Sequence, residues 1–410
     1  MMKKKRDFKG YSIVEVIVII VITSIVSAVS TGVIMSNNNR TTAGSTYSSL
    51  LQDENVKDFL NVYSSVLNGY YENVDKKAAM DSAINGMMSY LGDKYTTYLD
   101  ENDTNSLNSK LAGEYTGIGV SLGDNGLIRE VFDDSPAEKA GIKSNDKIIA
   151  INDTDVTNKT SSDMSSLIKS SNNSNVKVTV LRDNETFNYE LTLDTLYVPA
   201  ISTNIINQND KKYGYIYIST FSSSLKEQIS KALNKLEAED ISGLILDVRG
   251  NGGGYLSAAT DTASMFLSKG KTIYSLEDKN STKTTYDETD ESRNYPIIVL
   301  IDGGSASASE ILTGALKDSY GAVLVGKTSY GKGKVQQTYQ LDDGSMVKYT
   351  SAKWLRPNGE CVDGVGIDPD YSVELKYNKD EDGNITDFED TQLNKAIEIL
   401  SSNNWYLLFM

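Results

Sequence analysis

Short apolar runs alternate with amphipathic ones along the second half of the chain, and this alternation restricts the fold more than any other feature. "YGYIYI" (213–218) has strand character, 222–239 carries helical spacing, and "GLILDV" (243–248) is a continuously apolar strand. "RGNGGG" leads into a helix ending near Leu267. "YPIIVLID" (295–302) gives another strand and helix, and "AVLVG" and "KVQQTYQL" close the series. Strands apolar on both faces need cover on both, so the pattern predicts α/β layers with crossover helices. The polar stretch 276–294 is expected as an exposed excursion between two of these elements.

Upstream the texture differs. "YSSLLQDENVKDFLNVYSSVL" and "KKAAMDSAINGMMSYLGDKY" read as helices, and in the second Met80, Ala83, Ile84, Met87, Met88 and Leu91 recur at helical spacing, predicting a core-packed stripe. From about 113 short β-type runs take over. "GEYTGIGVSLGDNGLIREVF" gives two strands around Asp124-Asn125-Gly126, followed by "SPAEKAGIKSNDKIIAINDTDV", a short helix near 161–170, and the strands "VKVTVLR" and "TFNYELTL". In this order 113–195 resembles a PDZ domain. Gly117, Ile118, Gly119 and Val120 take the place of the loop whose backbone amides hold a peptide's terminal carboxylate, beside a strand edge open to β-augmentation.

Residues 16–35 form a run of 20 uncharged, mostly apolar residues behind "MMKKKR", long enough to cross a bilayer. The positive-inside tendency sets the N-terminus in the cytoplasm and the body outside. A cleavable secretory signal is the rival, with "SAVSTG" as its cleavage site. "KGYSIVEVIVII" also resembles the type IV prepilin processing motif, with Gly10 before the cut and Glu15 in the apolar run. The large acidic body favours an ordinary anchor. Residues 1–40 carry a net +4 and the whole chain −16, leaving −20 on 41–410, which disfavours nucleic acid as a partner.

The chain has no histidine and one cysteine, Cys361. A Ser-His-Asp triad, a histidine zinc site and an intrachain disulfide are therefore excluded. A nucleophilic serine would need another base, and a lysine made neutral by burial can serve. Two stretches fit. "DGGSASASEIL" (302–312) is a strand–turn–helix junction where free amides and a positive dipole end would stabilise an oxyanion. Ser307 and Glu310 also form an S-x-x-E capping box there. "GKTSYGKGKVQ" (326–336) places Lys332 between Gly331 and Gly333. Gln336 shares its strand parity and would hold the lysine's protons, and Lys334 is the rival base.

Together "GSASASEILTGALKD" and "VLVGKTSYGKGKVQ" resemble the C-terminal processing peptidases, or tail-specific proteases, over about residues 50–400. The resemblance implies Ser307 as nucleophile, Lys332 as general base and Gln336 as its orienting partner. It also implies oxyanion amides from Ala308 and from Gly253 or Gly254 in "LDVRGNGGG". The flanks depart mildly: Asp302-Gly303 stands for an asparagine-containing lead-in and "LRPNGE" for a T-P-x-G stretch.

The expected fold is thus a crotonase-like α/β peptidase core (196–375) with an inserted β-rich PDZ domain (113–195). Before it come an anchor of one transmembrane helix (1–40) and a helical region (41–112); a C-terminal loop and helix (376–410) follow. The expected function is that of a single-pass, membrane-anchored serine endopeptidase outside the cytoplasm. It would need no metal or cofactor and would act on proteins with accessible C-terminal tails. A homo-oligomer or regulatory partner stays open. The alternative is a catalytically silent anchored adaptor that binds tails.

Overall fold

The computed structural model describes residues 49–402 except 133, 172–174, 198 and 380–384. Among them no helix is long and apolar enough to cross a membrane. The 16–35 run, Gly10 and Glu15 lie outside the described residues. The chain divides after Gly86 into two compact units. The first holds helix α1 (Glu54–Gly69), which starts where the Asp53 carboxylate accepts from the Asn55 and Val56 amides. Tyr47, the expected start, lies outside the described residues; Ser49 and Leu50 are helical, and a turn at 51–53 separates them from the helix that Asp53 caps. Helix α2 (Lys76–Tyr90) crosses the boundary, and its anticipated core stripe is present only in part: Met88 is buried and Met80, Ala83 and Ile84 half-buried, whereas Met87 and Leu91 are exposed.

The second unit continues with β1 (Thr97–Leu99) and α3 (Glu101–Ala112), then a β-rich segment. This comprises β2 (Glu114–Gly117), β3 (Val120–Leu122), β4 (Ile128–Val131), α4 (Pro136–Ala140), β5 (Lys147–Ile151), β6 (Thr154–Asp155), α5 (Ser161–Lys169), β7 (Asn175–Arg182), β8 (Glu185–Thr192) and β9 (Asp194–Tyr197). Strands β6-β5-β7-β8 form one sheet, while β3 pairs with β4 and β2 with β9. Ile118, Ile128, Ile148, Met164 and Val178 belong to a core of their own.

The α/β part then runs β10 (Ile201–Gln208), β11 (Lys211–Ile218), α6 (Leu225–Glu237), β12 (Leu244–Asp247), α7 (Leu256–Ser264), β13 (Thr272–Glu277), β14 (Thr282–Tyr286), β15 (Ile297–Ile301), α8 (Ala308–Ala315), β16 (Val323–Gly326), β17 (Lys334–Gln340), β18 (Met346–Leu355), β19 (Tyr371–Ser372), β20 (Lys376–Lys379), β21 (Ile385–Glu389) and α9 (Thr391–Ser401). A six-stranded sheet, β10-β11-β12-β15-β16-β19, is parallel from β11 onward. Every residue of β12 and β15 is buried, as strands covered on both faces must be. One face (Leu244, Leu246, Val299, Ile301) packs with Leu233, Ala259 and Leu312 from α6, α7 and α8. The other (Ile245, Ile298, Leu300, Val325) packs with Ala396, Ile399 and Leu400 of α9. The stretch 276–294 is not merely an excursion. It contains β14, which pairs with β13 in a second sheet, β1-β18-β13-β14, with β17 on β18.

Because α9 supplies one whole face of cover, Leu400→Ala (1 % exposed) is expected to cost about 3 kcal/mol in urea unfolding of the full chain. A loss below about 0.5 kcal/mol would show that face to be dispensable.

Candidate active site

Parallel strands β12 and β15 are neighbours in register, Asp247 beside Leu300, so the loops leaving their C-terminal ends emerge together. Three serines stand at the end of β15, and burial separates them. Ser305 Oγ donates to Val248 O at 2.8 Å and accepts from the Asp302 amide at 3.0 Å. Ser309 Oγ donates to Asn251 O at 2.8 Å, which also accepts the Ala306 amide at 3.0 Å. Both side chains are fully buried and stitch this turn to the glycine-rich loop. Ser307 alone of the three is partly exposed. Its backbone sits at φ 58°, ψ −113°, a conformation that costs a non-glycine residue about 1–3 kcal/mol and persists only where surroundings enforce it.

Glu310 supplies that enforcement. Fully buried in the first turn of α8, its carboxylate accepts four hydrogen bonds. Oε2 takes the Ser307 amide at 2.8 Å and the Lys332 amide at 2.9 Å. Oε1 takes the Gly331 amide at 2.7 Å and Ser329 Oγ at 2.6 Å. The capping role expected of Glu310 is present, yet the same group also joins the serine turn to the lysine segment, a role sequence spacing did not reveal. Its one sequence signal was a glutamate set directly against the apolar Ile311 and Leu312.

Lys332 is half-buried. A Cβ on Gly331 would lie 2.9 Å from the Gly366 amide nitrogen, and one on Gly333 2.5 Å from that of Asp363. Glycine on both sides thus lets residues 363–366 close over the lysine segment, and the indole of Trp354 donates to Lys332 O at 2.9 Å. Burial pushes the Lys332 ammonium below the usual lysine range, and repulsion from Lys348 adds to it. The ammonium lies over the Tyr95 ring, 4.9 Å from its centroid; Tyr95 also went unrecognised in the sequence. Among the described residues no hydrogen bond joins Lys332 Nζ to Ser307 Oγ.

Lys334, the rival base, pairs with Asp93 at 3.1 Å. Burial raises the Asp93 carboxyl, but hydrogen bonds from Thr350, Thr96 and Lys334 outweigh it and bring it down to about 2. This carboxylate therefore stays charged beside Lys334. Gln336 does not reach Lys332: its side-chain amide donates to Lys334 O at 3.2 Å. Lys332 precedes β17, which begins at Lys334, so the strand alternation behind the expected contact does not extend to it.

The glycine-rich loop touches the serine turn. A Cβ on Gly253 would meet Ser307 Cβ at 2.9 Å and the Ala308 amide nitrogen at 3.0 Å. The Gly253 amide is spent on Asn251 Oδ1 at 2.9 Å. Gly254 bridges to Phe221 through its neighbours (Phe221 N to Gly253 O, Tyr255 N to Phe221 O), which leaves its own amide out of that pairing. The Ala308 amide opens α8. Arg249 braces the loop from behind, donating to Asp247 at 2.6 Å and to Asp390 at 2.8 Å. Gly117, Ile118 and Gly119 are buried and Val120 half-buried in the β-rich segment, on a core separate from the one beneath Ser307.

A family model for peptidase family S41 matches residues 212–373, one for the PDZ domain 115–193, and one for the activating protease CtpB N-terminal domain 22–103. The chain is 37% identical over 321 residues to carboxy-terminal processing protease CtpB of Bacillus subtilis (strain 168), covering 76% of this chain and 66% of that one. It is 35% identical over 317 residues to carboxy-terminal processing protease CtpA of the same strain, covering 76% and 68%. The alignments thus span about two thirds of each relative's length. In fold alone it is similar to a candidate S41 protease from Bacteroides fragilis, with a TM-score of 0.52 at 16% identity over 83% of this chain and 96% of that one.

Glu310→Gln places an NH2 group against N–H and O–H donors. It is expected to cost about 2–4 kcal/mol in urea unfolding, the penalty for breaking a satisfied buried network. Unchanged stability would remove Glu310 from its clamping role.

Proposed function

The chain belongs to peptidase family S41, among the carboxy-terminal processing proteases, and from that membership we propose a Ser-Lys endopeptidase in which Ser307 attacks a peptide carbonyl. Lys332, neutral when it acts, takes the Ser307 proton and returns it to the leaving amine. Its ammonium rests on Tyr95, so proton transfer requires the side chain to turn from the ring toward Ser307. The tetrahedral oxyanion takes the Ala308 amide and, of the two loop glycines, the Gly254 amide, since that of Gly253 already has an acceptor. The observation that carries this reading is the single buried carboxylate of Glu310 bonded to the backbone of both Ser307 and Lys332. Gln336 acts on the lysine segment through Lys334 O rather than on the ammonium.

Protein substrates follow from a PDZ domain joined to a peptidase. In this reading the 117–120 loop captures a free C-terminal carboxylate and the tail is cut at Ser307. Residues 16–35 anchor the chain in the membrane with the N-terminus cytoplasmic, which sets the catalytic body outside.

Full-length chain incubated with an unfolded protein should cleave it and sediment with membranes, and removing residues 1–40 should release the activity. Ser307→Ala and Lys332→Ala should each lower the rate by at least about 1,000-fold, whereas Lys334→Ala keeps most of it. Wild type no faster than Ser307→Ala would favour the adaptor, and loss confined to Lys334→Ala would transfer the base role to Lys334.

The rate should also rise with pH as Lys332 loses its proton, with a midpoint below the roughly 10.4 of free lysine. Lys348→Ala removes a like charge, makes the ammonium easier to keep, and should move the rising limb to higher pH. A limb that stays put or moves down would contradict the electrostatic account of the base.

A further inference from the structure

The carboxylate loop of the β-rich domain has a side chain poised over it that backbone amides alone do not explain. Tyr115 lies in β2, opposite Leu196 of β9, two residues before the loop begins. Its ring is packed edge-on against Phe132, with centroids 6.3 Å apart and planes at 82°. It lies so close to Gly117 that a Cβ there would meet its Cε2 at 2.7 Å. The ring therefore lies directly against Gly117, the first residue of the loop.

Its hydroxyl is buried with no acceptor for its proton, one of three buried side-chain atoms among the described residues without a well-formed hydrogen bond. Burial pushes the Tyr115 hydroxyl up to about 12, and the Gly119 amide is the group that pulls the other way, which sets the phenol oxygen beside a loop N–H. The hydroxyl thus keeps a proton with nowhere to go, at a cost of about 1–3 kcal/mol unless an acceptor arrives. An ionised carboxylate offers acceptors only, and it is the group such a loop of consecutive amides suits.

We propose that the Tyr115 hydroxyl donates to the terminal carboxylate of a captured tail, as a side-chain ligand alongside the amides of residues 117–120. This rests on the tail-capture reading above and adds a specificity-determining residue to it. The hydroxyl exchanges an unsatisfied buried donor for a charge-assisted bond, so it selects a free carboxylate over a blocked C-terminus.

The test uses the full chain carrying Ser307→Ala, so that bound peptide is not cut. The probe is a labelled ten-residue peptide ending in Ala-Ala-Val, with a free acid or an amidated C-terminus, and affinity is read by fluorescence anisotropy. Without a further change the chain should prefer the acid. Adding Tyr115→Phe should weaken acid binding about tenfold and leave amide binding as it was, the low end for a hydrogen bond to a charged acceptor. The unchanged amide affinity also reports that the domain remains folded. If the acid preference is present and Tyr115→Phe keeps it, the inference falls while tail capture stands. An equal loss for both peptides would make Tyr115 a packing residue and overturn the inference as well. No acid preference in the parent chain would overturn tail capture by this loop, and the Tyr115 role with it.

Discussion

One buried carboxylate holds the candidate site together. Glu310 accepts the Ser307 amide through one oxygen and the Gly331 amide through the other, with Lys332 and Ser329 completing the set. A carboxylate with four donors is well satisfied even at zero exposure. Its donors come from two segments, the serine turn and residues 329–332, which the Tyr330 amide also joins by donating to Ser305 O at 3.0 Å. The strained backbone of Ser307 depends on this clamp, as does the approach of the lysine segment.

The sheet brings those segments within reach of one another. Strands β12, β15 and β16 run parallel and adjacent, so the loop at 248–254, the turn at 302–307 and the segment after Gly326 all leave from the same edge. Helices α6, α7 and α8 cover one face and α9 the other, which makes the strand ends rigid supports. Ser305 and Ser309 then fasten the turn to the neighbouring loop by hydrogen bonds to its carbonyl oxygens. The chemistry is carried by loops, and its precision comes from the buried strands that hold them.

Much of this was legible in the residues. Alternating apolar runs announced the layered α/β part, and the absence of histidine directed attention to Ser307 and Lys332. The glycines around Lys332 suggested the close backbone approach that 363–366 makes. Other features were out of reach of local pattern. Gln336 has the right parity on paper, but Lys332 lies ahead of the strand that begins at Lys334, and the Gln336 amide bonds Lys334 O instead. The methionines of α2 have core spacing, yet Met87 and Leu91 of that stripe are exposed. The 276–294 stretch is polar and still provides β14, because a strand at the sheet edge pairs on one side and faces solvent on the other.

The sequence by itself determined the chemical inventory: which nucleophile and base are available, which turns only glycine permits, and which runs must be buried. Those follow from side-chain type and short-range periodicity, which the order of residues states directly. Tertiary structure alone decided the partnerships. Glu310 became a clamp, Lys334 the partner of Asp93 and Tyr95 the resting place of Lys332 because residues dozens to hundreds of positions apart were packed together, and burial sets both the strength of a charge contact and the direction of a pKa shift.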